Sequence, residues 1–385
     1  MKRMTLKLAG AFAAAAAMMA ATPSLSAPVT LNIVDVAGQL ALTQSAIEAF
    51  RDKHPDLVAK INFTKATAPE LPGKLKAMQG AGRSDIDLVL TGTDALAAGI
   101  DQGLWTPILP QYAAKFPGFP GTLIPAASKM QDLASNQGII VVFSPAGPLI
   151  EYNPDKVKSP PTTAQELLAW CKANPNRLIY ARPANSGPGR TFLMGLPYIL
   201  GDKNPKDPAT WDKTWAYLQE LNSCIEYYPT GTGAVMKELG EGSRDMTVTM
   251  TGWDLNPRIT GIVPKSYKVQ PFKGMTWVND AQYMAVPKGV APEKLAVVID
   301  LMAYMLTPAA QATTYDKGYF YPGPAVANVP LSMAPKDSQD AIKEFGRAEY
   351  DGWLKEFPQT QSLPPDAQVK AFAIWDEKVG AKIKK

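Results

Sequence analysis

Residues 277–323, WVNDAQYMAVPKGVAPEKLAVVIDLMAYMLTPAAQATTYDKGYFYPG, decide the fold. Leu295, Val298, Ile299, Met302 and Leu306 recur at helical spacing and form one apolar stripe. Ahead of them, Tyr283, Met284, Ala285 and Val286 make a short run suited to a buried strand, which Pro287 ends. Pro308 stands where a second helix starts, since a helix's first turn has no use for the N–H that proline lacks. An aromatic segment, Gly318 to Pro324, then leads away. The stretch reads as strand, amphipathic helix, helical break and aromatic crossing.

Upstream, strand and helix patterns alternate. Strands are expected at Val29–Val34, Val58–Phe63 and Ile86–Leu90, with helices at Leu42–Phe50, Pro72–Gln79 and Asp94–Gln102. Such alternation argues for a parallel sheet with right-handed crossovers. The apolar run Gly138–Phe143 leads into PAGPLIEYNPDKV, and a second α/β set follows. There Thr163 and Glu166 are spaced as a capping box before Leu167, Leu168 and Trp170. Leu178–Tyr180 reads as a strand, Thr191–Leu200 and Trp211–Leu221 as helices, and Met246–Met250 as a buried strand. The chain returns through Tyr267–Gln270 and Trp277–Val286, and amphipathic helices around Ile342–Trp353 and Ala367–Ile383 are expected to pack on the second lobe.

At 385 residues the chain suits two domains. Residues 1–27 have the pattern of an export signal: Lys2, Arg3 and Lys7 precede an apolar run from Leu8 to Ala21, and small residues lead to Ala27. That run is shorter than the roughly 20 residues needed to cross a bilayer. Removing the segment takes three positive charges from a formal net charge of +4. A nearly neutral protein has no electrostatic case for nucleic acid. Cys171 and Cys224 are the only cysteines, and sequence leaves a bridge and two separate buried thiols equally open.

The return stretch and the PAGPLIEYNPDKV segment resemble the extracellular solute-binding proteins of ABC importers, in particular the group that takes polyamines, thiamine and iron. The resemblance implies an α/β, two-lobed periplasmic-binding-protein fold of the second structural type. Each lobe would be a mostly parallel sheet flanked by helices, with three hinge segments between them. Lobe 1 would comprise 28–142 and 281–318, and lobe 2 143–280 and 319–385. It further implies a monomeric periplasmic protein that captures a small molecule by hinge closure, delivers it to permease subunits, uses no cofactor and catalyses nothing. The residues agree on the last point, since the chain lacks G-x-S-x-G and H-E-x-x-H motifs and its single histidine, His54, sits at a helix end. A secreted hydrolase using paired acids is the alternative class.

In open α/β sheets ligands bind beyond the carboxyl ends of strands. Four loops qualify. They contribute Asp35 and Gly38; Thr91, Thr93 and Asp94; Ser186 and Arg190, in a glycine-rich helix start; and Trp253 with Asp254. Trp277 and Asp280 repeat the indole–carboxylate pairing, and Tyr283 is a further aromatic candidate. An indole face with a carboxylate suits an organic cation such as a polyamine or a thiamine-like compound. The Ser186–Arg190 loop suits an anionic or zwitterionic solute instead, because helix N-termini attract negative charge. Adjacent Tyr227 and Tyr228 raise ferric iron as a third option. For each tryptophan the alternative is core packing, and for each aspartate a turn or helix cap.

Overall fold

The computed structural model describes residues 27–382. The export-signal expectation, apart from Ala27, lies outside the described residues. The first sheet grows from β1 (Val29–Asp35), α1 (Leu40–Lys53), β2 (Val58–Lys65), α2 (Leu71–Gly80), β3 (Leu88–Gly92) and α3 (Thr93–Asp101). β1 pairs in parallel with both β2 and β3. After α4 (Pro125–Asp132) come β4 (Ile139–Gly147) and β5 (Leu149–Tyr152), which opens the second sheet.

That second unit contains α5 (Ala164–Ala173), β6 (Leu178–Ile179), α6 (Gly187–Leu200), α7 (Asp212–Leu221), α8 (Thr232–Gly240), β7 (Met246–Thr249), α9 (Thr251–Ile259) and β8 (Lys268–Pro271). Thr163 and Glu166 form the expected capping box at α5. β9 (Trp277–Ala285) carries the chain back, followed by α10 (Pro292–Tyr304), α11 (Pro308–Thr313) and β10 (Gly323–Pro324). The last elements are α12 (Lys336–Phe345), α13 (Glu349–Glu356), β11 (Gln359–Thr360) and α14 (Pro365–Lys378).

The first sheet runs β10-β4-β9-β3-β1-β2 with β11 attached to β9, and the second β6-β7-β5-β8. The mostly parallel arrangement expected of both sheets holds only for part of them. β9 is antiparallel to β3 and β4, and β5 is antiparallel to β7 and β8. The reason is entry direction: a strand arriving from the opposite lobe needs no βαβ crossover and lies against its neighbour head to tail.

Three times the chain passes from one core to the other. Ala146 packs in the first core and Leu149 in the second; Trp277 and Val278 belong to the second and Tyr283 to the first; the last passage falls between Val329 of the first core and Tyr350 of the second, after β10 has paired with β4. The helical part of the return stretch behaves as read, with Val298, Ile299 and Met302 buried in the first core, but the aromatic segment expected to lead away does not leave that lobe, because its end, β10, pairs with β4. The expected helix over Ile342–Trp353 is two helices, because the chain turns extended at Gly346 and α13 starts anew. α14 packs on the second lobe through Ala371 and Trp375, yet Gln368 Nε2 also donates to the Thr93 carbonyl at 2.8 Å, so it touches both lobes.

Cys171 and Cys224 are bonded, with Cα atoms 5.7 Å apart, and tie α5 to the segment after α7. Closing a loop of 53 residues' separation stabilises by about 4 kcal/mol in the chain-entropy picture. A double Cys171→Ala/Cys224→Ala variant is therefore expected to lose about 4 kcal/mol in urea unfolding. An unchanged midpoint would mean that the bridge constrains nothing.

Candidate functional site

A cavity of about 200 Å³ opens where the two sheets present their strand ends. Its first-lobe wall comes from the β1–α1 turn, including Gly38, and from Asp94 in the first turn of α3. Ser186, Gly187 and Arg190 on α6 and Thr232 on α8 form the facing wall. Asp280 and Gln282 of β9 make the floor, and Trp253 and Tyr319 close one side with rings edge to face, 5.3 Å apart.

Local chemistry explains the shape. Gly38 has φ +72°, and a Cβ there would meet the Tyr319 hydroxyl at 2.5 Å, so the turn can approach the aromatic crossing only as glycine. Ser186 is the N-cap of α6 and accepts from the Gly189 N–H at 3.1 Å. At Gly187 a Cβ would meet Met250 Sδ at 2.8 Å, which keeps that helix start tight against the end of β7.

Arg190 is the electrostatic centre. Its Nη1 donates to Asp94 Oδ2 at 2.8 Å and its Nη2 to Asp280 Oδ2 at 2.6 Å, with all three side chains buried or nearly so. Burial works against the guanidinium's charge, but the Asp280 and Asp94 carboxylates outweigh it and hold Arg190 protonated. Asp280 Oδ1 also accepts from Thr93 Oγ1 at 3.2 Å and from the Ala281 N–H at 2.9 Å. Two carboxylates against one guanidinium leave this corner with one net negative charge. Since Asp94 belongs to α3 and Arg190 to α6, the pair also joins the lobes.

The structure brings together Gly38, Asp94, Ser186, Arg190, Trp253 and Asp280 at the cavity, with Thr93 directly behind Asp280. The remaining candidates stand elsewhere. Asp35 turns back to accept from the Gln39 N–H at 2.8 Å and caps α1, and burial raises its pKa despite those backbone bonds. Thr91 is buried in β3 and bonds to the Gly92 carbonyl at 3.1 Å. Trp277 lies in the second core with its indole N–H on the Trp353 carbonyl at 3.1 Å. Tyr283 fills the first core and donates to the Met130 carbonyl at 2.7 Å.

Both indole–carboxylate pairs are split, for geometrical reasons. Neighbours on a helix project about 100° apart, so Trp253 faces the cleft while Asp254 points inward. Residues three apart on a strand lie on opposite faces, which separates Trp277 from Asp280. Asp254 instead anchors a buried cluster: it takes Arg258 Nη2 at 2.8 Å, Arg347 Nη2 at 2.6 Å and the Tyr350 hydroxyl at 2.6 Å. Burial pushes its pKa up, but Arg347 and Arg258 more than reverse this and hold it below the usual carboxylate value. The cluster fixes α9, and with it Trp253. Tyr228 is a core residue and Tyr227 bonds to Glu238, so neither lines the cavity. Among the described residues no group of three or more histidines, cysteines or acids is placed to hold a metal.

Gln282, Thr232 and Tyr319 are cavity residues that the loop-by-loop search passed over. Gln282 was within reach of period-two reasoning, since it lies two residues beyond Asp280 on the same strand. Tyr319 arrives by the aromatic crossing, outside any strand-end loop.

Two α/β lobes joined by three crossings, with a polar cavity between them, define a binding protein of the periplasmic type. The chain belongs to the bacterial extracellular solute-binding proteins, whose family pattern it matches over residues 45–344. Protein YnjB of Escherichia coli (strain K12) is 26% identical over 205 residues, 49% of this chain and 50% of that protein, so the chain spans about half the length of the curated relative it matches. Among solved structures it is similar to the periplasmic binding protein AfuA of Actinobacillus pleuropneumoniae, with exogenous fructose-6-phosphate bound (TM-score 0.64, 15% identity, 91% of this chain and 98% of that one). A periplasmic thiamin binding protein is comparably similar (TM-score 0.63, 16% identity, 93% and 97%). These likenesses show the two-lobed fold.

Glu151 on β5 is fully buried beside the Asp254 cluster, and neither of its carboxylate oxygens has a hydrogen-bond partner among the described residues. Burial, then the Asp254 charge, raises its pKa well above the ordinary 4.5. The folded state therefore keeps this proton to higher pH than the unfolded chain does, so stability falls as pH rises above about 4.5. Glu151→Gln is expected to unfold at a higher temperature than the natural protein at about pH 7, with the gain vanishing towards pH 4. A gain that instead grew on acidification would contradict the assignment.

Proposed function

We propose that this protein is the exported solute-capturing subunit of an ABC importer. One lobe is built mainly from residues 28–142 with 281–318, to which β10 adds, and the other mainly from 143–280 with the chain after Val329, and they close over a small solute for presentation to the permease subunits. Closure is a hinge motion whose equilibrium shifts because the closed form binds the solute better. The observation that carries this reading is the cavity itself, whose charged walls come from both lobes and meet through Arg190 and Asp94. The disulfide supports export to an oxidising compartment.

The ligand carries an organic cationic group. What supports this is the net negative corner of Asp94, Asp280 and Arg190 beside the Trp253 and Tyr319 rings, rather than the two adjacent pairs that the sequence suggested. A water-soluble extract of a bacterial culture serves as the probe. It is expected to raise the unfolding temperature with no compound consumed, a component at 100 times its Kd adding about 2.7 kcal/mol. Trp253→Ala should abolish the shift, measured from that variant's own free midpoint, which falls with the loss of the indole's packing. Trp277→Ala should instead cost about 3–5 kcal/mol of stability. Consumption of a compound would overturn the binding role, and a shift indifferent to Trp253→Ala would overturn the cationic contact.

A further inference from the structure

The donors and acceptors lining the cavity do not balance within the protein. Gln282 donates its Nε2 hydrogen to the Ala37 carbonyl at 3.1 Å, while its Oε1, buried, accepts from nothing among the described residues. Arg190 uses both terminal nitrogens on Asp94 and Asp280, and its Nε–H is buried without a partner. Ser186 Oγ and Thr232 Oγ1 lie 2.8 Å apart, and Ser186 also accepts from the Gly189 N–H. Each hydroxyl has one proton and only one is consumed between them, so whichever donates, one O–H is left over. A buried polar group left unpaired costs about 1–3 kcal/mol, so two such groups on residues that line one cavity, with a spare hydroxyl proton beside them, mark what a ligand must supply.

The imbalance has a direction. On the floor, a lone acceptor, Gln282 Oε1, adjoins the corner with one net negative charge. On the second-lobe wall the surplus is of donors: the Arg190 Nε–H, the spare hydroxyl proton, and the N–H groups of Gly187 at the start of α6 and of Thr232 and Gly233 at the start of α8, whose positive dipole ends meet there. Gly187 and Thr232, at the two helix starts, both line the cavity. A bare cation would satisfy the floor and leave the wall unpaired. A bare anion would do the reverse and face Asp94 and Asp280.

We propose that the cleft is built for a zwitterion. Its ammonium group is held by Gln282 Oε1 and the Asp94–Asp280 corner under Trp253, and its carboxylate or phosphate by Arg190 Nε, the Ser186–Thr232 hydroxyls and the N-termini of α6 and α8. This rests on the solute-capture reading and sharpens its cationic ligand to a two-ended one. A cavity of about 200 Å³ limits such a solute to small-metabolite size. Gln282 and Thr232 are then specificity residues, one for each end.

The test fractionates the water-soluble bacterial extract on ion exchangers into cation-only, anion-only and amphoteric pools, and measures the thermal shift each produces. The amphoteric pool is expected to carry the stabilising activity. Gln282→Leu and Thr232→Val should each raise the concentration needed for half the shift tenfold or more, the shift being read from each variant's own unliganded melting temperature. Thr232→Val spares the Ser186 cap, so a loss there reads the acid end and not the start of α6. Activity confined to the cation-only or anion-only pool would overturn the zwitterion while leaving solute capture intact. No stabilising pool at all would overturn both.

Discussion

A single guanidinium, Arg190, sits between two carboxylates where the lobes meet. α3 presents Asp94, β9 presents Asp280 as it crosses between the cores, and α6 brings Arg190 from the second lobe. Taking Arg190 away would leave two buried carboxylates uncompensated, which in comparable cases costs about 3–5 kcal/mol. The position of β9 relative to α6 is therefore tightly specified. Because β9 also carries Gln282 and pairs with β3 and β4, the cavity floor inherits that register.

A second polar device lies behind the first. Asp254, gripped by Arg258 from its own helix and by Arg347 and Tyr350 from the C-terminal region, locks α9 so that Trp253 faces the cleft. The C-terminal segment thus serves the site without touching its cavity. Further along, β11 adds a short parallel strand to β9 at Trp277–Val278, and Gln368 reaches Thr93, the residue that hydrogen-bonds Asp280. Contacts between the lobes therefore converge on Asp280 from both sides.

The architecture was legible because it rests on periodic signals. The stripe from Leu295 to Leu306 and the alternation of strands and helices before Asp101 are statements about burial that one chain displays unaided. The site was legible only in part. Strand-end loops pointed to Gly38, Asp94, Ser186 and Arg190, all of which line the cavity. Adjacency misled: Trp253–Asp254 and Trp277–Asp280 look like receptors in a line of text, whereas helical rotation and strand alternation send their members to different faces. What no periodicity reveals is tertiary pairing. That Arg190 would meet Asp94, 96 positions away, or Arg347 meet Asp254, depends on how the lobes and the C-terminal helices close.

The claim on which site and mechanism both depend is that Arg190 holds the two lobes together across the cleft. Small-angle scattering of the unliganded Arg190→Met variant beside the natural protein tests it directly, with circular dichroism to confirm an intact fold. Lobe joining through Arg190 predicts a larger radius of gyration for the variant at unchanged secondary structure. An identical scattering profile for the two folded proteins would contradict it.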